Sequence, residues 1–179
     1  MCSLQTLCQW EVPGHMYLFP FISAAGDTEC MLIPIIEANL VAPILNEGGT
    51  REVYYPEGGW YHWFSNDYVE GKQFSVISMD MDDMPLYVKA GSIVPMTEAV
   101  DYISDETAAP LTICVYEKEE GKSSFIYYDK KEYEITAEFK GQEVVMNLGG
   151  LESEADVWLI RKSGTEKKQG VIGSCRFGV

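Results

Sequence analysis

The sequence predicts an all-β chain of two small antiparallel β-sandwich domains in tandem. Short apolar runs rich in Val, Ile and Tyr have the length and composition of strands. Turn residues interrupt them at close spacing, and no long amphipathic helical period appears anywhere. With 179 residues, 46% of them hydrophobic, the chain is long enough to bury one or two cores.

Residues 1–26 are the least defined stretch, punctuated by Trp10, Pro13, Gly14 and Pro20. Tyr17, Leu18, Phe19, Phe21 and Ile22 read either as a strand broken at Pro20 or as an apolar segment packing on a larger body. From Cys30 the character changes. Residues 31–36 and 39–45 are continuous apolar runs, as strands covered on both faces are, with Pro34 and Pro43 limiting regular pairing. Residues 47–50 make a turn before a strand over 51–55. Pro56, Glu57, Gly58 and Gly59 turn the chain again. Further strands are expected at 60–64 and 74–78, separated by the polar corner Ser65-Asn66-Asp67. Residues 86–90 and 92–95 flank Gly91, which reads as a bulge or bend.

An acidic, loop-like stretch over 97–110 marks the expected boundary, giving a first sandwich at 27–98 and a second, shortened one at 107–179. In the second, strands are expected at 111–116 and 124–129, with a charged loop at 117–122 between them. Over 133–139, Tyr133, Ile135, Ala137 and Phe139 alternate strictly with Glu134, Thr136 and Glu138. That is a strand with one wet face. Lys140 and Gly141 then turn it into a hairpin with 142–148. Residues 156–160 form a last good strand, 163–170 a polar loop, and Val171-Ile172 a weak strand at best.

The net charge of -15, with no basic stripe, excludes nucleic acid as a partner and disfavours docking on an anionic membrane. The apolar stretch 31–45 is too broken by Pro34, Glu37, Asn39 and Pro43 for a transmembrane helix. Cys2, Cys8, Cys30, Cys114 and Cys175 are odd in number and scattered, so thiols in a reducing compartment are expected rather than a disulfide framework. No basic n-region with an apolar run opens the chain, and no Asn-x-Ser/Thr sequon occurs; a cytoplasmic location is expected.

Sites are few. Asp80, Asp82 and Asp83 are the densest carboxylates. A calcium loop starting at Asp80 would need Gly where Pro85 stands and Glu where Gly91 stands, so a solvated acidic turn is the simpler reading. His15 and His62 are the only histidines and have no His or Cys at ligand spacing, which implies no metal. Ser92 beside Gly91 lacks a nucleophile elbow, and Gly48-Gly49 and Gly149-Gly150 lack the Lys-Ser/Thr of a phosphate loop. No cofactor is implied. The run Trp60-Tyr61-His62-Trp63-Phe64 could stack on a sugar ring, with Trp60 and Trp63 the candidate substrate contacts. On alternation Trp60, His62 and Phe64 share one face, and at least one face should be core.

Three segments carry a resemblance. They are Leu40-Val41-Ala42-Pro43-Ile44-Leu45; Arg51-Glu52-Val53-Tyr54-Tyr55-Pro56-Glu57-Gly58 with Trp60-Tyr61; and Met84-Pro85-Leu86-Tyr87-Val88-Lys89-Ala90-Gly91-Ser92-Ile93-Val94-Pro95-Met96. In order and spacing they resemble the C-terminal β-sandwich region that follows the catalytic barrel in glycoside hydrolase family 31, the α-glucosidases and α-xylosidases. The resemblance implies a parent enzyme that cleaves α-linked glucose or xylose with retention, using two carboxylates about 5 Å apart. Its nucleophile sits in a Trp-x-Asp-Met-Asn-Glu type motif, which is absent here. A (β/α)8 barrel needs about 250 residues, more than this chain has. No catalytic residue is carried over, and the chain alone is expected to be inactive. Its expected partner is a catalytic barrel or parent enzyme. The alternative is a free-standing carbohydrate-binding module whose partner is an oligosaccharide.

Overall fold

A computed structural model describes residues 39–42, 49–78, 85–97, 111–129 and 131–178. Among them there are strands and turns but no helix, so the all-β expectation holds. The chain divides into two compact units, one of 1–65 with 69–89 and one of 66–68 with 90–179.

The first unit contains β1 (Asn39–Val41), β2 (Thr50–Tyr55), β3 (Gly59–His62), β4 (Tyr68–Glu70, apart from its first residue), β5 (Gln73–Ser78) and β6 (Leu86–Lys89). One sheet has the order β1-β6-β3-β4, and β2 and β5 form an antiparallel ribbon. Leu40, Trp60 and Tyr87 from the sheet meet Val53 and Tyr55 from the ribbon in one core. On β2, Arg51, Val53 and Tyr55 are buried while Thr50 and Glu52 face water, the period of two that a strand imposes. Two turns lock together at the end of the ribbon. The Gly71 amide donates to the Gly58 carbonyl at 2.6 Å and the Lys72 amide to that of Tyr55 at 2.7 Å. A Cβ on Gly71 would lie 2.0 Å from the Pro56 carbonyl oxygen, so only glycine admits this approach.

The second unit is built from β7 (Ile93–Thr97), β8 (Leu111–Tyr116), β9 (Glu120–Asp129), β10 (Lys131–Lys140), β11 (Glu143–Asn147), β12 (Ala155–Arg161), β13 (Gly164–Val171) and β14 (Ser174–Phe177). Two four-stranded sheets, β14-β11-β10-β9 and β13-β12-β8-β7, enclose a core that includes Ile113, Val115, Ile135, Phe139, Met146, Val157 and Leu159. The alternation over 133–139 is present as expected: Tyr133, Ile135, Ala137 and Phe139 are buried, and Glu134 and Glu138 are exposed.

Five details depart from the sequence expectation. β8 and β12 pair in parallel, because the chain crosses to the opposing sheet through β9, β10 and β11 before returning beside β8. The 163–170 stretch is not a loop but β13, hairpinned onto β12. All of it but Val171 is exposed, so no buried face leaves a pattern to read. β14 follows where only a weak end was expected, and β9 begins at Glu120, inside the supposed charged loop. Gly91, with φ of 89°, is the bend after β6; β7 beyond it pairs with β8 and not with the first unit's strands. The expected boundary loop at 98–110, like the segments 1–38, 43–48 and 79–84, lies outside the described residues.

Candidate functional site

The aromatic run is carried by β3 and the turn after it. β3 lies between β6 and β4, and its Trp60, Tyr61 and His62 oppose Lys89, Val88 and Tyr87 of β6. Trp60 and Tyr61 are 5% and 0% exposed, so both faces of the strand are covered at these positions. The Trp60 indole N–H donates to the Pro56 carbonyl at 2.9 Å, which satisfies the one polar group that the ring buries. Trp60 therefore packs the core of the first unit, where it ties β3 to the turn that ends β2. Trp63 is half-buried, and its amide donates to the Leu86 carbonyl at 2.8 Å. Of the two sugar-stacking candidates, only Trp63 offers part of its ring to solvent.

A chain of rings runs outward from the core. Tyr55 meets Tyr87 edge-on at 5.0 Å, Tyr87 meets His62 at 5.2 Å, and His62 faces Phe64 at 6.0 Å, with Phe64 70% exposed. Burial, with a hydrogen bond to Tyr87, holds the Tyr55 phenol un-ionised well above the usual range. The Ser65 amide donates to His62 Nδ1 at 3.2 Å, and the Ser65 hydroxyl lies 2.9 Å from the same nitrogen. An Nδ1 occupied in this way accepts, which puts the neutral ring's proton on Nε2. His62 is thus held as a packing ring at the end of β3.

A second aromatic pair escaped the sequence reading. Tyr54 on β2 lies opposite Phe74 on β5, with ring centroids 4.8 Å apart, and beside them Glu52 lies opposite Val76. Phe74 and Val76 are 60% and 70% exposed. The available signal was the alternation of Phe74, Val76 and Ser78 against Ser75 and Ile77. A Lys72–Glu57 ion pair of 2.8 Å, itself exposed, closes the same end of the ribbon.

Asp80, Asp82, Asp83 and His15 lie outside the described residues, as do Cys2, Cys8 and Cys30. Among the described residues no group of three His, Cys, Asp or Glu side chains could hold a metal ion, and no helix is long and apolar enough to cross a membrane. The strongest ionic cluster is in the second unit. Arg161, 8% exposed at the end of β12, donates to Glu117, to Glu166 at 2.6 Å and to the Gln142 carbonyl at 2.8 Å. Its forked guanidinium joins the β12–β13 hairpin to the β10–β11 turn, and so links the two sheets.

This geometry is that of a two-unit β-sandwich scaffold with an aromatic core. Comparison with known proteins finds one family to which it is similar. Residues 26–94 match the glycosyl hydrolase family 31 C-terminal domain. Alpha-glucosidase 2 of Bacillus thermoamyloliquefaciens is 29% identical over 134 residues, which cover 72% of this chain and 16% of that protein. The cycloalternan-forming enzyme from Listeria monocytogenes superposes with a TM-score of 0.65 at 26% identity, over 74% of this chain and 14% of that one. The GH31 alpha-xylosidase from Xanthomonas citri, at 23% identity and a TM-score of 0.59 over 81% of this chain and 19% of its own, shares the fold. Residues 26–94 are thus similar to the family 31 C-terminal domain, and the chain spans less than a fifth of the length of these relatives.

Proposed function

We propose that this chain is the non-catalytic C-terminal part of a family 31 α-glycosidase, and that its sandwiches brace a catalytic (β/α)8 barrel. In this reading the first unit is the proximal sandwich, the second a shortened distal one, and the parent enzyme hydrolyses α-glucosidic or α-xylosidic bonds with retention. One observation carries it: the family match over 26–94 coincides with the strands that build the first unit, including the aromatic core around Trp60. Those residues pack a sandwich, and supply rigidity where a reaction centre would need opposed carboxylates.

The test is turnover of p-nitrophenyl α-glucoside and α-xyloside by the purified chain, then by a family 31 barrel with and without it. No turnover by the chain alone, and a barrel whose activity and melting temperature rise when the chain is added, is the expected result. Turnover by the chain alone overturns the proposal. Saturable quenching of tryptophan fluorescence by malto-oligosaccharides or xyloglucan oligomers would instead favour the binding-module reading, with Trp63 as the contact.

A further inference from the structure

The four sheet edges of the second unit are not alike. β7 carries Pro95 in mid-strand, and β14 is four residues long with an exposed Arg176. β13 bears Glu166, Lys167 and Lys168 and shifts register against β12. Proline, shortness, charge and bulges are the devices that stop an edge from pairing with another chain. β9 keeps its charges to its ends, Glu120 and Lys122 at the start and Asp129 at the finish. It lies on β10 in unbroken register for ten residues, and from Ser123 to Tyr128 it has no charged side chain. Ile126 is 50% and Tyr128 69% exposed.

The start of this edge is already occupied. Lys118 Nζ donates to the Lys122 carbonyl at 2.9 Å and to the Ser123 hydroxyl at 3.0 Å. The Lys122 carbonyl thus turns away from β10. By the alternation of an antiparallel ladder, Ser124, Ile126 and Tyr128 direct their N–H and C=O groups the same way.

We propose that this edge pairs antiparallel with β9 of a second copy of the chain, joining two four-stranded sheets into one across a two-fold axis. An axis normal to the sheet keeps both buried faces on one side, which requires like-facing residues to oppose each other. With Phe125 on the axis, Phe125 opposes itself, Ser123 opposes Tyr127, Ser124 opposes Ile126 and Lys122 opposes Tyr128. The Tyr128 hydroxyl is hydrogen-bonded to Glu132, so each end of the joint brings the Lys122 ammonium of one copy to the Tyr128–Glu132 pair of the other. Two copies of net charge -15 repel over most of their surfaces. A contact with an uncharged centre, where Lys122 at each end offsets part of the negative charge of Glu120, Asp129 and Glu132, lowers that repulsion.

Sedimentation equilibrium of the full chain, up to about 1 mM, reads the association directly. The expected result is a monomer–dimer equilibrium that Ile126→Lys or Tyr128→Lys weakens at least about tenfold, because two like charges then face the joint. Val76→Lys, on the exposed face of the β2–β5 ribbon, leaves it unchanged. Hydrogen exchange on the unmodified chain gives the second reading: the Ser124, Ile126 and Tyr128 amides gain protection as concentration rises. Where a variant fails to fold, this exchange pattern decides. A chain that stays monomeric throughout overturns the proposal, as does a dimer whose β9 amides stay unprotected or one that only Val76→Lys disrupts.

Discussion

Arg161→Met removes the guanidinium of a side chain that is 8% exposed and replaces it with an apolar chain of similar reach. Three acceptors lose their donor: Glu117, whose side chain is 20% exposed, Glu166 at 49%, and the Gln142 carbonyl. Glu166 is wet enough to recover its hydration, so its loss contributes little. Removing one partner of a buried pair costs about 3–5 kcal/mol, and an unsatisfied carbonyl about 1–3 kcal/mol. Because Glu117 retains some access to water, the lower end applies, and the total is about 3–4 kcal/mol. With a urea m-value of about 2 kcal/mol/M, the midpoint of the second unit falls by about 1.5–2 M. Arg161→Lys keeps the charge but not the fork, and falls by roughly half as much. Adding Glu117→Gln to Arg161→Met should recover part of the loss, because the half-hidden carboxylate is then gone. Urea titration followed by far-UV circular dichroism, with amide exchange on β12 and β13, measures each. A midpoint for Arg161→Met within about 0.3 M of the parent chain refutes the clamp.

Three further outcomes follow from the geometry. Gly71→Ala places a methyl group 2.0 Å from the Pro56 oxygen, whereas Gly141→Ala, at φ of 61° with nothing within 4 Å, meets only backbone strain. The first should cost several times the roughly 1 kcal/mol of the second in thermal unfolding, and equal costs would sink the steric argument. Trp60→Phe loses the bond to Pro56 and part of a ring in the core, about 2 kcal/mol, while Trp63→Phe changes stability by less than about 1 kcal/mol; the reverse order would be contrary evidence. Burial pushes the Cys114 thiol from 9.0 up to about 11. The unfolded chain therefore releases its proton first, and stability present below pH 9 is lost as pH rises through 11, on the order of 2–3 kcal/mol. Cys114→Ala should flatten that slope, and an unchanged slope would assign it to other groups.

Legibility differed by position for physical reasons. The strand over 133–139 was plain because one face is buried and the other wet, which writes a period of two into the residues. β13 was invisible because seven of its eight residues face solvent, so pairing with β12 alone makes it a strand. At Trp60 alternation predicted that at least one face is core, but not that Trp60 and its neighbour Tyr61 are both buried, with β3 flanked on either side by β6 and β4. Gly91 announced a bend, but not that β7 beyond it would pair with β8. Such pairing is settled between segments distant in sequence, and no local pattern records it. The carbohydrate-facing role of Trp60 and Trp63 rested on residue type, which does not distinguish a platform from a core.

The side-by-side alignment of β8 with β12 sets a timetable for making this protein. Every residue from Leu111 to Ala155 must leave the ribosome before β8 can find its neighbour, so the second unit closes late. The β9–β10–β11 meander needs only its own short turns and can assemble in the interim. During that delay the face of this half-built sheet that will line the core lies open, beside the least defended edge of the second unit. Crowded synthesis is when the chain is most exposed to sticking to its own siblings, and a chaperone that shields the nascent sheet until β12 arrives would raise the yield of correctly closed product.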